Sequence, residues 1–238
     1  MLRLLALSIL VAGASVAQPV PPDAETQAGL RAEIEAMLAL DQRVRYMNTA
    51  GTFDSARADS IGRVLSALPL KANVALEDSL EADAASRLSA AERDSLLHIQ
   101  WRADLDNITR LREIVGAHGW PDRARIGGSS DAIILLLHAH PDTLEAMLPA
   151  LRREVAEGRM PPRQYAIGVD KSRKIRGLRQ LYGTGPEFDP ATGALAPPRV
   201  DDIEATNAAR AAIGLAPLAE FRTVDVPSPD PAARPDRP

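Results

Sequence analysis

Residues 134–142 read Ile-Leu-Leu-Leu-His-Ala-His-Pro-Asp, an apolar run followed by His138-x-His140-x-Asp142. That spacing at a strand end could aim zinc ligands at one point, since a zinc site needs at least three well-placed protein ligands. The rest of the chain does not supply them. Such a motif would continue with another histidine, and here Thr143 follows. The four histidines are His98, His118, His138 and His140, so no ligand histidine comes later. The local pattern also favours helix. Ser129 and Ser130 offer a cap before the run, and Asp142 offers one for a second helix after it. On a helix, His138 and His140 project roughly 200° apart. The expectation is therefore no metal and no cofactor, with His138 alone kept as a site residue.

Other chemistry lies where charge interrupts apolar patterning. A helix over residues 24–46 carries the stripe Leu30, Ile34, Met37, Asp41, Val44, Asn48. These positions fall within roughly 60° of one another at about 100° per residue. Asp41 thus sits inside the stripe, with Arg45 one turn on. A second helix carries Leu97, Trp101, Asp104, Leu105, Ile108, Leu111 and Val115, again with one aspartate inside. Buried carboxylates need partners. One reading is structural: Asp41 pairs with Arg45 or Arg210, and Asp104 meets backbone groups or His138. The other is a polar pocket of Asp41, Arg45, Asp104 and His138. Gln180, Tyr182 and Thr184 would then form a rim facing it, with the further candidates Asp170 and Lys171 on opposite faces of the hairpin's first strand. In the catalytic version His138 is a general base, Asp104 or Asp170 orients it, and Gln180 or Tyr182 stabilises developing charge.

Several chemistries are excluded. There is no cysteine, hence no disulfide, thiol nucleophile or thiolate metal site. Gly183-Thr184-Gly185 is too short for a phosphate loop, and no Walker or dinucleotide pattern occurs. No serine sits in a nucleophile-elbow sequence. A net charge of −4 gives no basic surface for nucleic acid.

The elements that must position these residues follow from caps and periods. Ser89-Ala90-Ala91-Glu92 is a capping box opening a helix to about His118, stopped by Gly119 with Trp120-Pro121 behind it. A short apolar helix spans about 131–139, and another about 143–157, capped by Asp142 and ended by Gly158. Residues 164–171 and 178–183 alternate as strands around a polar turn, which predicts a β-hairpin over 164–183. A last helix covers 201–213, closed by Gly214. Residues 49–88 read as a helical insertion of weaker pattern. Aromatics are 3% of the chain, so the core must be aliphatic. The fold class expected is mainly α with one β-hairpin, a single helix-dominated domain over 24–222.

The ends carry an address. Arg3, an apolar run from Leu4 to Val11 and the small residues ending Ser15-Val16-Ala17 make a signal-peptide layout over 1–17. Cleavage is expected after Ala17, with Ala14 a second option. Residues 18–23 are a linker, and the Pro-rich stretch 223–238 reads as a disordered tail. No other segment approaches the length of a membrane span. The expected location is the periplasm or the exterior.

Taken in order, Asp41-Gln42-x-x-Arg45, Asp104-x-x-Asn107, Gly119-Trp120-Pro121, His138-Ala139, Tyr165-Ala166 with Asp170-Lys171, and Gln180-Leu181-Tyr182-Gly183-Thr184 resemble an uncharacterised bacterial family, domain of unknown function 6624. Asn207-x-x-Arg210 and the stretch Gly214 to Leu218 resemble it too. The resemblance covers about 24–50 and 95–222. It adds Asn107 and Arg210 to the binding candidates. The family pattern has Gln-His-Ala-Asp where this chain has Leu137 and His140 at the outer positions. It has Asp-Arg where this chain has Asp170-Lys171, and a glutamine where this chain has Gly185. The resemblance implies a site location and no particular reaction. Two functional classes follow from the residues. One is a module binding a small molecule, peptide or cell-envelope component. The alternative is a periplasmic hydrolase built on His138.

Overall fold

The computed structural model describes residues 22–127, 131–189 and 194–218. The leader expected at 1–17, most of the linker, the Ser129-Ser130 cap and the tail from 223 lie outside the described residues. The chain is helix-dominated. Helix α1 (Ala24–Thr49) starts at Asp23, whose carboxylate accepts the Thr26 N–H. Helices α2 (Ser55–Ala67) and α3 (Leu70–Arg87) occupy the segment read as an insertion. Helix α4 (Ala90–His118) opens on the expected capping box: Ser89 accepts from the Glu92 N–H, and Glu92 accepts from the Ser89 N–H. The short α5 (Arg123–Ile126) and α6 (Ala132–Leu137) follow, then α7 (Pro141–Ala156) and α8 (Pro162–Ile175). Strands β1 (Glu187–Asp189) and β2 (Ala194–Ala196) pair antiparallel, Phe188 opposite Leu195, before α9 (Ile203–Ala211). No described helix is long and apolar enough to cross a membrane.

The hairpin expected over 164–183 is absent. Residues 162–175 form α8, whose buried set Tyr165, Ala166, Gly168, Val169, Asp170 and Ser172 has the helical period. Pro162 stands at the first helical position, where its missing N–H costs nothing. Gln180 instead makes an isolated parallel bridge to Val200. A second correction concerns α7. His140, not Asp142, is its N-cap: the imidazole Nδ1 accepts the Asp142 N–H at 3.3 Å, and Pro141 follows as the first residue. Asp142 lies exposed in the first turn.

Two apolar clusters form the core. The larger joins Ile34 and Met37 of α1, Ile108 and Leu111 of α4, Leu135 and Leu136 of α6, Leu144 and Leu151 of α7, and Trp120. The smaller joins Val44 and Met47 of α1 with Ala58 of α2 and Leu96 and Ala103 of α4. The α4 stripe read from the sequence holds from Ile108 onward. Upstream, Leu96, Ala103 and Asn107 are buried, whereas Leu97, Trp101 and Leu105 are exposed. Those three sit about 100° or more around the helix from Leu96. The small Ala103 lets α1 approach on the other face.

Gly119 ends α4 with φ 78°, and a Cβ there would stand 2.8 Å from Glu154 Oε2. That carboxylate accepts the Trp120 N–H and a bidentate pair of bonds from Arg159. Gly119→Ala is expected to cost about 2 kcal/mol through positive-φ strain and disturbance of this junction. Urea unfolding checks it; an unchanged midpoint would refute the account.

Candidate functional site

Asp41 and Arg45 lie one turn apart on α1, at the seam where the larger core gives way to the smaller. Asp104 enters from the same seam on α4, and His138 from the C-cap of α6. The four side chains meet. Arg45 Nη2 donates to Asp104 Oδ1 at 2.9 Å and lies 3.4 Å from Asp41 Oδ1. His138 Nδ1 is 2.8 Å from Asp41 Oδ1, and the Gln42 amide donates to Asp41 Oδ2 at 2.8 Å. Asp41 is 1% exposed. The expectation that Asp104 or Asp170 orients His138 is corrected: Asp41 does.

His138 Nδ1 is also 3.0 Å from Arg45 Nε, which lies 3.4 Å from Nε2. Guanidinium can only donate and carboxylate only accept, so a proton on Nδ1 belongs to the Asp41 contact. Arg45 Nε then lies close to the ring, which stays part-exposed. The Nη1 of Arg45 is buried with no hydrogen-bond partner among the described residues. An unsatisfied buried donor is uncommon in folded proteins. Burial pushes the Asp104 carboxyl above its ordinary pKa; Arg45 pulls it down, and Asp41 adds to the rise.

By type and spacing, Asp41, Asp104 and His138 form a group that could hold a metal ion, their ligand atoms lying within 4.8 Å of one another. The sequence had suggested no such set, because two members come from helices distant from the histidine motif. His140 takes no part and pairs with Asp142 at the surface. The guanidinium of Arg45 already bridges the two carboxylates, where an ion would sit.

The remaining candidates gather elsewhere. Asp170, 3% exposed on α8, accepts the N–H groups of Leu181, Tyr182 and Thr184 and the Thr184 hydroxyl. Gln180 closes the same loop by exchanging bonds with the Gly185 backbone. Arg210 donates to the Tyr182 and Ala216 carbonyls, tying α9 to that loop, and so is not the partner of Asp41. Asn107 is buried and donates to the Met37 carbonyl. Lys171 is exposed. No hydrogen bond or ion pair among the described residues links the Asp170 loop to the Asp41 cluster, so the single shared pocket divides in two. Three positions that depart from the family pattern, Leu137, Lys171 and Gly185, line one small cleft of about 160 Å³ beside Asp170, Gln180 and Thr184.

A larger cleft, about 490 Å³, opens between α3 and α4 with α1 behind it. Arg45 lines it, which connects the Asp41 cluster to the cleft. Ala84, Ala85 and Leu88 form one wall, Leu96 and Leu97 the other, and Glu77 and Glu81 stand on the α3 side. The sequence reading missed Glu77, Glu81 and the exposure of Trp101. Among the residues of helix α3 whose burial is described, Ala84 alone is buried, and the helix has almost no apolar stripe to orient it. Leu97, Trp101 and Leu105, spaced one turn apart, carried the only signal, and it matched a core face equally well.

No curated protein matches the chain, and no solved structure does. A family model matches residues 81–226, a span that holds Asp104, His138, the Asp170 loop and Arg210 and begins after Asp41 and Arg45. The chain belongs to the family of unknown function DUF6624.

Proposed function

We propose that this is an exported ligand-binding domain whose site is the α3–α4 cleft together with the Asp41–Arg45–Asp104–His138 cluster. One observation carries the reading: Arg45, held by Asp41 and Asp104, lines a cleft of ligand size and keeps a buried donor that has no partner among the described residues. Small-molecule sites are mostly apolar concavities of roughly 300–1,000 Å³ with a few convergent polar groups. The cleft fits that description. The alternative, a hydrolase with His138 as base, draws support from the Asp41 contact to Nδ1. It is disfavoured by Arg45, whose Nε lies within 3.4 Å of both ring nitrogens and so sets a fixed positive charge beside the imidazolium that a base would become. Export rests on the leader-like residues 1–17.

Native mass spectrometry of the exported protein, isolated gently, tests both parts. The expected chain mass begins at Gln18, and the expected adduct is one non-covalent ligand per chain. Ala85→Trp fills the exposed α3 wall of the cleft and should remove the adduct while leaving the circular dichroism unchanged. A chain that stays in the cytoplasmic fraction with Met1 retained would overturn export. An adduct that survives Ala85→Trp, or bare chains in both proteins, would overturn the cleft as the site.

A further inference from the structure

Two nitrogens of the Arg45 guanidinium are committed, and the third is not. Nε and Nη2 share one edge of the planar group, and that edge faces the cluster. Nε lies 3.0 Å from His138 Nδ1, and Nη2 donates to Asp104 Oδ1 at 2.9 Å. Nη1 stands off that edge, buried, with no hydrogen-bond partner among the described residues. A buried donor without a partner carries its desolvation cost in full, and an incoming acceptor removes it. Arg45 lines the α3–α4 cleft, so the cleft is where such an acceptor can arrive. A second donor stands on the same cleft. Gln100 of α4 lines it, and its Oε1 accepts from Asn48 Nδ2 at 2.7 Å. With the amide oxygen turned to Asn48, Gln100 Nε2 can only donate, and it makes no hydrogen bond among the described residues.

Charge does not select the occupant. The lining sets Arg45 and Arg93 against Glu77 and Glu81. Arg93 is committed to the Ala85 and Leu88 carbonyls, and Arg45 is already countered by Asp41 and Asp104. An anionic head therefore finds no uncommitted cation. A cationic head meets the two glutamates only beside two guanidinium groups. A head of either sign would also give up its hydration on entering. An uncharged acceptor meets the two donors at little desolvation cost, and the aliphatic walls receive an apolar body behind it.

We infer that the cleft takes a small aliphatic molecule with an uncharged carbonyl head, an amide or an ester, its oxygen at Arg45 and Gln100 and its chain along Ala85, Leu88 and Leu97. This deepens the ligand-binding reading and rests on it.

Three probes of one chain length separate the heads: N,N-dimethyloctanamide, octanoate and octylamine, titrated by calorimetry into the mature protein at neutral pH. The tertiary amide offers an acceptor oxygen and no donor. It is expected to bind about tenfold tighter than either charged probe, the scale of one hydrogen bond to a charged donor. Its affinity should hold as salt rises, because it carries no charge to be screened. Gln100→Glu keeps the oxygen that Asn48 needs and removes the second donor. It should weaken the amide severalfold and strengthen octylamine, with the circular dichroism unchanged. Ala85→Trp should abolish amide binding. Octanoate or octylamine binding as tightly as the amide, and blocked by Ala85→Trp, would overturn the uncharged head and leave the cleft standing as a binding site. Amide affinity that Gln100→Glu leaves unchanged, or that survives Ala85→Trp, would overturn the placement of the carbonyl. No binding of any probe would overturn the carbonyl-headed ligand, while the co-purified adduct remains the separate test of ligand binding.

Discussion

Asp170→Ala lowers the unfolding free energy by about 3–5 kcal/mol and moves the thermal midpoint down by roughly 10 °C. The carboxylate is buried and accepts three backbone N–H groups and one hydroxyl from residues 181–184. Hydrogen bonds to a charged acceptor are the stronger kind, and each donor left dry after truncation carries its own desolvation cost. Water entering the loop recovers part of that cost, which holds the total within this range. Asp170→Asn keeps the volume but replaces one acceptor oxygen with a donor amide facing Thr184, so an intermediate loss of about 2 kcal/mol is expected. Lys171→Ala, next along α8 and exposed, should stay within about 0.5 kcal/mol of the parent. Urea midpoints for the three proteins decide the matter. If Asp170→Ala matches Lys171→Ala, the loop does not depend on this carboxylate. The catalytic role considered for Asp170 requires the opposite pattern, a preserved midpoint with lost activity.

How much of this was legible beforehand varies by residue. Asp41 inside the α1 stripe was readable, because α1 keeps one face against the core along most of its length and its period is clean. The capping box at Ser89 and the stop at Gly119 were readable because both are local chemistry. The strand reading of 164–171 failed for a physical reason. Eight residues with Tyr165, Ile167 and Val169 in alternation also satisfy a helix buried on a broad face, and Pro161-Pro162 is the start signal that should have settled it. Asp170 was singled out, yet three of its four bonds come from backbone N–H groups, which leave no mark in a sequence. The convergence of His138 on Asp41 spans 97 positions and depends on how α6 docks between α1 and α4. The cleft was invisible because it arises from where α3 parts from α4. Helix α3 packs on α1 and α2 with almost no apolar stripe, so neither its direction nor its gap could be read.

Replacing Arg45 by Met should destabilise the protein by about 3 kcal/mol at neutral pH and, more tellingly, change how stability depends on pH. Methionine fills the volume of the aliphatic stem, so packing at the seam of the two core clusters survives. What disappears is the cation that Asp41 and Asp104 share. Burial already holds the Asp104 carboxyl above its ordinary range, and Arg45 opposes that rise. Without the guanidinium the folded-state pKa climbs further. A carboxyl whose pKa is higher folded than unfolded binds its proton more tightly in the folded state. The penalty is therefore fully present above the folded pKa and is relieved as pH falls through it. The gap between parent and Arg45→Met should narrow on acidification from neutral pH into the upper carboxylate range. Adding Asp104→Asn to Arg45→Met should recover much of the neutral-pH loss and flatten the pH response, because one of the two unpaired charges has gone. Arg45→Lys should fall between, since a point-like ammonium cannot bridge both carboxylates while lying across His138. Denaturant midpoints from neutral pH downward give the curves. Parallel curves for parent and Arg45→Met would mean that the carboxylates do not depend on this guanidinium, and the cluster would then lose its claim to act as one electrostatic unit.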